Sequence, residues 1–99
     1  MYTRVNTLQA APNRIDDVAR VVREVVFPGI RGEEGFRGYL VLGSRETGKA
    51  LGVTLWESEE VRQTSEARAD QIRPRVEAAT GGTMRSIEPY EVLLFELAS

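Results

Sequence analysis

The stretch Leu51-Gly-Val-Thr-Leu-Trp-Glu-Ser-Glu-Glu60 joins a strand pattern to a helix start in a single step. Val53 and Leu55 alternate with Thr54 and Trp56, the period of two that a strand imposes on its side chains. Ser58 then stands where an N-cap is needed. Glu59 and Glu60 fall in the first turn, at the positive end of the helix dipole. The strand thus carries the chain's one tryptophan to a helix start, at the mouth of a sheet–helix crevice.

Outward from this stretch, residues 36–42 and 50–56 read as two strands joined through a turn-rich segment that contains Gly48. Residues 2–8 read as a first strand, ended by the breaker Ala11-Pro12-Asn13. From Arg14 onward, Ile15, Val18, Ala19, Val22 and Val25/Val26 recur at the spacing of one helical face. Pro28-Gly29 is expected to stop that helix, with residues 30–35 as a loop. A second helix is expected over residues 59–79, kinked or split by Pro74 and ended by Gly81-Gly82. Residues 84–97 hold the last strand, where Pro89 suggests a bend or an edge start. The order βαββαβ implies an α+β, ferredoxin-like fold. One domain over residues 1–99 would then be an antiparallel sheet with both helices on one face.

Two strands carry a further implication. In Tyr39-Leu-Val-Leu42 and Val92-Leu-Leu-Phe95 both parities are apolar. Two helices cover only one sheet face, and a broad apolar surface on the other is rarely tolerated by a soluble monomer. The economical solution is a homodimer, sheet against sheet, with Val92/Leu94 or Leu93/Phe95 at its centre.

Composition removes whole classes of function. At 99 residues the chain is near the lower size limit for a domain that stands unaided. A net charge of −2, with arginines interspersed among carboxylates, leaves no electrostatic footprint for nucleic acid. No run of about 18 apolar residues and no basic-then-apolar start is present, so neither a membrane span nor a signal peptide is expected and a cytoplasmic location is the default. There is no cysteine and no histidine. Disulfides and thiol chemistry are excluded, and the commonest general base and metal ligand are missing. Glu33-Glu34 has no acidic companion at ligand spacing. Neither a tightly held metal nor haem nor any other cofactor is expected.

Gly35-Phe36-Arg37-Gly38, Trp56-Glu57-Ser58-Glu59-Glu60 and Tyr90-Glu91-Val92 resemble, in order and spacing, the antibiotic biosynthesis monooxygenase domain of the dimeric α/β-barrel superfamily. The resemblance covers nearly the whole chain and implies a pocket between sheet and helices, with two sheets packed face to face. Asn6, in Asn6-Thr7-Leu8, matches the pocket asparagine of haem-degrading members. Where those members carry a second tryptophan and a ligating histidine, this chain has Ser65 and, roughly, Arg75. Haem degradation is therefore not expected. Cofactor-free, quinone-forming oxygenases resemble the chain at Trp56, whereas their pocket asparagine and tyrosine fall on Gly52 and Arg62.

The resemblance and the parity of the strands together give the site expectations. Asn6, able both to donate and to accept, would orient a substrate oxygen, and Trp56 would form an apolar wall. Thr54 would stand beside them with Tyr39. Arg68, Arg73 or Arg75 on the second helix would stabilise a phenolate. Blander roles compete: Trp56 as a core or rim anchor, Asn6 as an ordinary strand residue, Tyr39 and Tyr90 as packing residues. Arg62, Arg68, Arg73 and Arg75, interleaved with Glu66, Asp70 and Glu77, would then be a solvated helix face. Two functions use the pocket: cofactor-independent oxygenation of an aromatic, phenolic or quinone-like metabolite, or non-catalytic binding of a small hydrophobic ligand. A third is a dimeric accessory module with a filled cavity. A void of about 300 Å³ or more beside Trp56 would favour the first two.

Overall fold

Ser58 caps its helix as its position demands: at φ −146° it is still extended, and its hydroxyl accepts from the Val61 N–H at 3.3 Å. In the computed structural model, which describes residues 1–98, β3 (Lys49–Trp56) passes across that cap into α3 (Glu59–Thr64). β2 (Phe36–Gly43) flanks β3 on one side and β1 (Tyr2–Gln9) on the other, and β4 (Thr83–Glu91) lies outside β1. All three pairings are antiparallel, in the order β2-β3-β1-β4. Gly48 closes the β2–β3 turn at φ +80°, with the Ala10 carbonyl where a Cβ would stand. The α+β ferredoxin-like arrangement is present, with the helices on one face.

Register assigns each residue its face. Asn6 pairs with Gly52, Arg4 with Thr54 and Tyr2 with Trp56; Tyr39 also pairs with Thr54, and Phe36 with Trp56. Cross-strand partners project to the same side. Arg4, Asn6, Leu8, Tyr39, Ala50, Thr54 and Trp56 therefore face the helices. There Leu8 and Ala50 meet Ile15, Val18, Val21, Ile72 and Val76 in the core. Val5, Leu40, Leu42, Leu51, Val53 and Leu55 take the opposite face, which no helix covers.

Three expectations about the elements need correction. The first helix does not stop at Pro28-Gly29. After α1 (Ile15–Val21) it loosens into a π-helical turn, Val22–Val26, and resumes as α2 (Phe27–Ile30). Proline has no N–H and crowds the carbonyl four residues back. The wider turn, in which the Phe27 N–H reaches the Val22 carbonyl, accommodates the ring at Pro28 without ending the helix.

The second helix does break, but at Ser65 and not at Pro74. Pro74 lies within α4 (Glu66–Thr80) on its exposed side, where solvent can take the Asp70 carbonyl that proline leaves without a donor. At Ser65 two side-chain donors converge on the Arg62 carbonyl, Ser65 Oγ at 2.7 Å and Arg4 Nη2 at 2.8 Å. Side-chain competition for a helical carbonyl bends the ladder. α4 ends at Gly81, left-handed at φ +71°.

The last strand ends at Glu91, well short of Leu97. Its partner β1 begins at Tyr2, which pairs with Glu91, so the ladder has no neighbour beyond that point. Val92 still donates to the Met1 carbonyl, but Leu93, Leu94 and Leu97 are 88%, 77% and 81% exposed. The residues expected at the centre of a dimer face therefore stand beyond the sheet. Pro89 fits where it is, since β4 is an edge. Among the described residues, no helix is long and apolar enough to cross a membrane.

Candidate functional site

β1, β2 and β3 form the floor of a cavity of about 80 Å³ roofed by α1, the π turn and α4. One side of it is aliphatic: Val18, Val22, Ile72 and Val76 above, Leu8 and Ala50 below. The other side is polar, formed by Asn6, Thr54, Arg73 and Arg4 with Tyr39 near them. Strand parity and helical period produce this division directly. The inward positions of β1 alternate Arg4, Asn6, Leu8, and Ala69, Ile72, Arg73 and Val76 share one face of α4.

The polar side is a chain of hydrogen bonds. Asn6 Nδ2 donates to the Gly52 carbonyl at 3.2 Å, and its Oδ1 accepts from Arg73 Nε at 3.4 Å. Arg73 donates through Nη2 to Glu66 at 2.7 Å and through Nη1 to Asp70. The second Glu66 oxygen accepts from Arg4 Nε at 2.9 Å. Arg4 Nη2 reaches Ser65 Oγ at 2.7 Å, and the guanidinium lies 5.4 Å from the Trp56 ring centroid. Trp56, fully buried, spends its indole N–H on Thr54 Oγ1 at 2.9 Å. Phe36 packs edge-on against that ring, and Phe27 links Phe36 to Tyr39.

Charge is distributed unevenly over this network. The Arg4 side chain is 2% exposed and that of Arg73 13%, whereas the Glu66 side chain they share is 39% exposed. Burial pulls the Arg4 pKa below its ordinary value, Glu66 opposes that shift, and Arg73 and Arg62 add to it. Burial alone would raise the Glu66 carboxyl. Hydrogen bonds and charge from Arg73 and Arg4 outweigh burial and hold it below the usual carboxylate range. Arg62, also mostly buried, has an Nε without a hydrogen-bond partner among the described residues.

The structure brings Asn6, Thr54, Tyr39 and Arg73 to one cavity. Trp56 shares their face but stands behind Thr54, under Arg4, and does not line the void. Arg68 lies outside it: its Nε donates to the Gly29 carbonyl at 3.1 Å and so ties α4 to the end of α2. The expectation of a solvated arginine face fails for Arg62 and Arg73, whose side chains are both mostly buried; Asn6 draws Arg73 inward. Arg4 was not anticipated, although period two places it between Tyr2 and Asn6 on the inward side of β1. The cavity is smaller than the 300 Å³ threshold. An open groove of about 300 Å³ flanks Arg4 on its outer side, lined by Arg62, Glu66, Ile87 and Pro89.

Such a site can orient and stabilise an oxygen anion. Its polar lining residues are Arg4, Asn6, Tyr39, Thr54 and Arg73, none of which accepts a proton readily at neutral pH. No group of three or more carboxylates able to hold a metal occurs among the described residues.

Known proteins share both the sequence and this architecture. An uncharacterised protein of Mycobacterium tuberculosis, Rv2557, is 33% identical over 92 residues, which are 93% of this chain and 41% of that protein. The chain thus spans about two-fifths of the length of that relative. A monooxygenase from the ActVA-Orf6 gene of Streptomyces coelicolor, solved with nanaomycin D, superposes with a TM-score of 0.76 at 17% identity, over 99% of this chain and 92% of that one. A variant of SnoaB, a cofactor-independent oxygenase from Streptomyces nogalater, gives 0.65 at 17% identity, covering 95% of this chain and 94% of the other. At such identities these two likenesses concern the fold. The model of the antibiotic biosynthesis monooxygenase family matches residues 1–71, from β1 through the helix break to the first turns of α4, and the chain belongs to that family.

Proposed function

We propose that this chain is a small cofactor-independent monooxygenase that oxidises a phenolic, quinone-forming aromatic compound as a homodimer. The observation that carries this reading is the join of Asn6 and Arg73 at the polar side of an otherwise aliphatic cavity. A phenolate oxygen placed there meets an amide donor and a guanidinium beside aliphatic walls, where electrostatic stabilisation is stronger than in water. The balanced reaction is a phenol and dioxygen giving a quinone and water. The ring carbon opposite the hydroxyl gains a C=O bond, and its hydrogen leaves with the phenolic one in the water. The lining offers no base, so the phenolic proton passes to solvent and the site acts by favouring the ionised ring. Membership of a monooxygenase family and the fold shared with a cofactor-independent oxygenase support this chemistry.

The dimer rests on the face that the helices leave bare. Val5, Leu40, Leu42, Leu51, Val53 and Leu55 make an apolar surface of the kind that a second sheet covers. The exposed Leu93, Leu94 and Phe95 extend the apolar area beyond it. A cytoplasmic setting suits a chain whose stability owes nothing to disulfides.

Oxygen consumption with a panel of phenols tests the activity. Turnover should follow the ionisation of the substrate, and Asn6→Ala should lower it about 10²-fold or more, the order seen for loss of one preorganised donor. A panel that binds but consumes no oxygen would establish the second reading, a non-catalytic carrier of a small aromatic ligand. The lack of a base favours that alternative, whereas the small void favours the third, a dimeric accessory module with a filled cavity.

A further inference from the structure

A second set of donors lies outside the cavity, on the outer side of Arg4. Arg62 sits in the last turn of α3, just before the break at Ser65. Its backbone carbonyl is held by Ser65 Oγ and Arg4 Nη2. Its side chain is 12% exposed, and the buried Nε has no hydrogen-bond partner among the described residues. The ion pair it makes with Glu59 is open at 4.0 Å, too long for a hydrogen bond. A guanidinium taken out of water without acceptors carries a cost that a bound anion would relieve.

The groove of about 300 Å³ beside it supplies both room and neighbours of the right kind. Ligand pockets begin at about that volume. Arg4 and Arg62 both line the groove. Arg4 spends Nε on Glu66 and Nη2 on Ser65 and the Arg62 carbonyl, which leaves the two N–H groups of Nη1. The two cations are near enough for Arg62 to lower the Arg4 pKa. The carboxylates on the same rim are already engaged. Both Glu66 oxygens accept, one from Arg4 and one from Arg73, and Glu88 accepts from Tyr90 Oη at 3.1 Å. Donors are thus in surplus between two like charges, and an anion satisfies both. Ile87, 41% exposed, and Pro89 add an apolar wall from β4. Glu66 and Glu88 oppose a second negative charge, so a monoanion fits better than a dianion.

We propose that this groove is a second binding site, for the carboxylate of a small organic acid. Arg62 and Arg4 would hold the carboxylate, with the apolar body of the acid against Ile87 and Pro89. The site does not depend on the monooxygenase reading. Benzoate, benzyl alcohol and inorganic phosphate test it by calorimetry on the full chain near neutral pH. Benzoate should bind saturably, and the neutral alcohol and the more highly charged phosphate at least tenfold more weakly. Arg62→Met should weaken benzoate about tenfold or more, the order expected for loss of a charged hydrogen-bond partner. Arg75→Met, on the exposed side of α4, should leave binding unchanged. Asn6→Ala should leave it unchanged too, which separates the groove from the cavity. In the native chain the Arg62 Nε–H signal in the NMR spectrum should shift with benzoate and stay fixed with benzyl alcohol. That readout stands even if Arg62→Met fails to fold. No binding of benzoate, or binding that Arg62→Met leaves intact, would overturn the proposal. Loss of binding in Asn6→Ala alone would put the acid in the cavity and equally overturn it. Tighter binding of phosphate than of benzoate would overturn the choice of a monocarboxylate.

Discussion

The two faces of the sheet come from the same strands and differ in how their needs are met. On the helix face every strand contributes to a packed core, and even its charged residue is satisfied: Arg4 makes three hydrogen bonds and stacks on Trp56. On the other face, Val53 stands between Val5 and Leu40, partly exposed, with no helix over it among the described residues. One face is finished by the chain's own helices and the other is left bare by them. Alternation along a strand is enough to produce both conditions at once, since adjacent residues such as Val53 and Thr54 belong to different environments.

The largest expected effect is on the bare face. Val53→Asp should abolish association while leaving the fold intact, because a carboxylate at the centre of an apolar contact cannot be buried without a partner. Light scattering at micromolar concentration should show a dimer for the native chain, burying more than about 2,000 Å² in total. A native monomer would remove the distinction between the faces altogether. On the helix face the corresponding truncation acts within the chain. Trp56→Ala should cost about 3–5 kcal/mol in denaturant unfolding, a large share of the roughly 5–15 kcal/mol that holds a small domain together. A cost under 1 kcal/mol would mean that the ring is not the anchor between β3 and the helices.

The comparison sharpens at Arg4 and Glu66, which are unequal partners. Arg4 is buried, and removing its counter-ion strands a cation in low dielectric; Glu66 is partly exposed, and water can solvate it if Arg4 is lost. Glu66→Gln should therefore destabilise by about 2–3 kcal/mol, below the value for a fully buried pair because of that exposure, and Arg4→Met by about 1 kcal/mol or less. Equal costs would show that the pair acts as a surface bridge.

These same residues mark how far the sequence could be read. Strand parity and the Ser58 cap are local, and they gave the four strands and the common face of Thr54 and Trp56, while the family resemblance put Asn6 on that face. The helix break escaped because its cause is not local: Ser65 yields to Arg4, 61 positions earlier in the chain. From propensity alone Pro28 looked like a terminator and Pro74 like a kink or split, whereas a π turn and an exposed position absorb them. Arg73 read two ways, as surface charge by its spacing from Asp70 and as one of several arginines that could serve the pocket. Its side chain reaches inward to Asn6, a contact 67 residues apart in sequence. The tail from Leu93 reads as a strand by composition, but composition cannot report that β1 ends before it.

The smallest expected effect is a titration. Glu66 has a folded pKa held below the ordinary 4.5, so the stability it confers is complete above that value and is lost as pH falls through the folded pKa. Arg4 stays charged throughout that range, despite its lowered pKa, because a guanidinium ordinarily loses its proton only in strong base. Protonated Glu66 closely resembles glutamine in shape and charge. The stability difference between the native chain and Glu66→Gln should therefore be constant near neutral pH and shrink steadily below about pH 4.5, the ordinary carboxyl value. Denaturant unfolding of both proteins across that range measures the difference directly. Exposed pairs such as Arg45–Asp16 add a slope common to both chains, which the subtraction removes. A difference that persists unchanged into acid would mean that Glu66 contributes shape and hydrogen bonding to the polar side, and that its charge does not hold Arg4 and Arg73 in place.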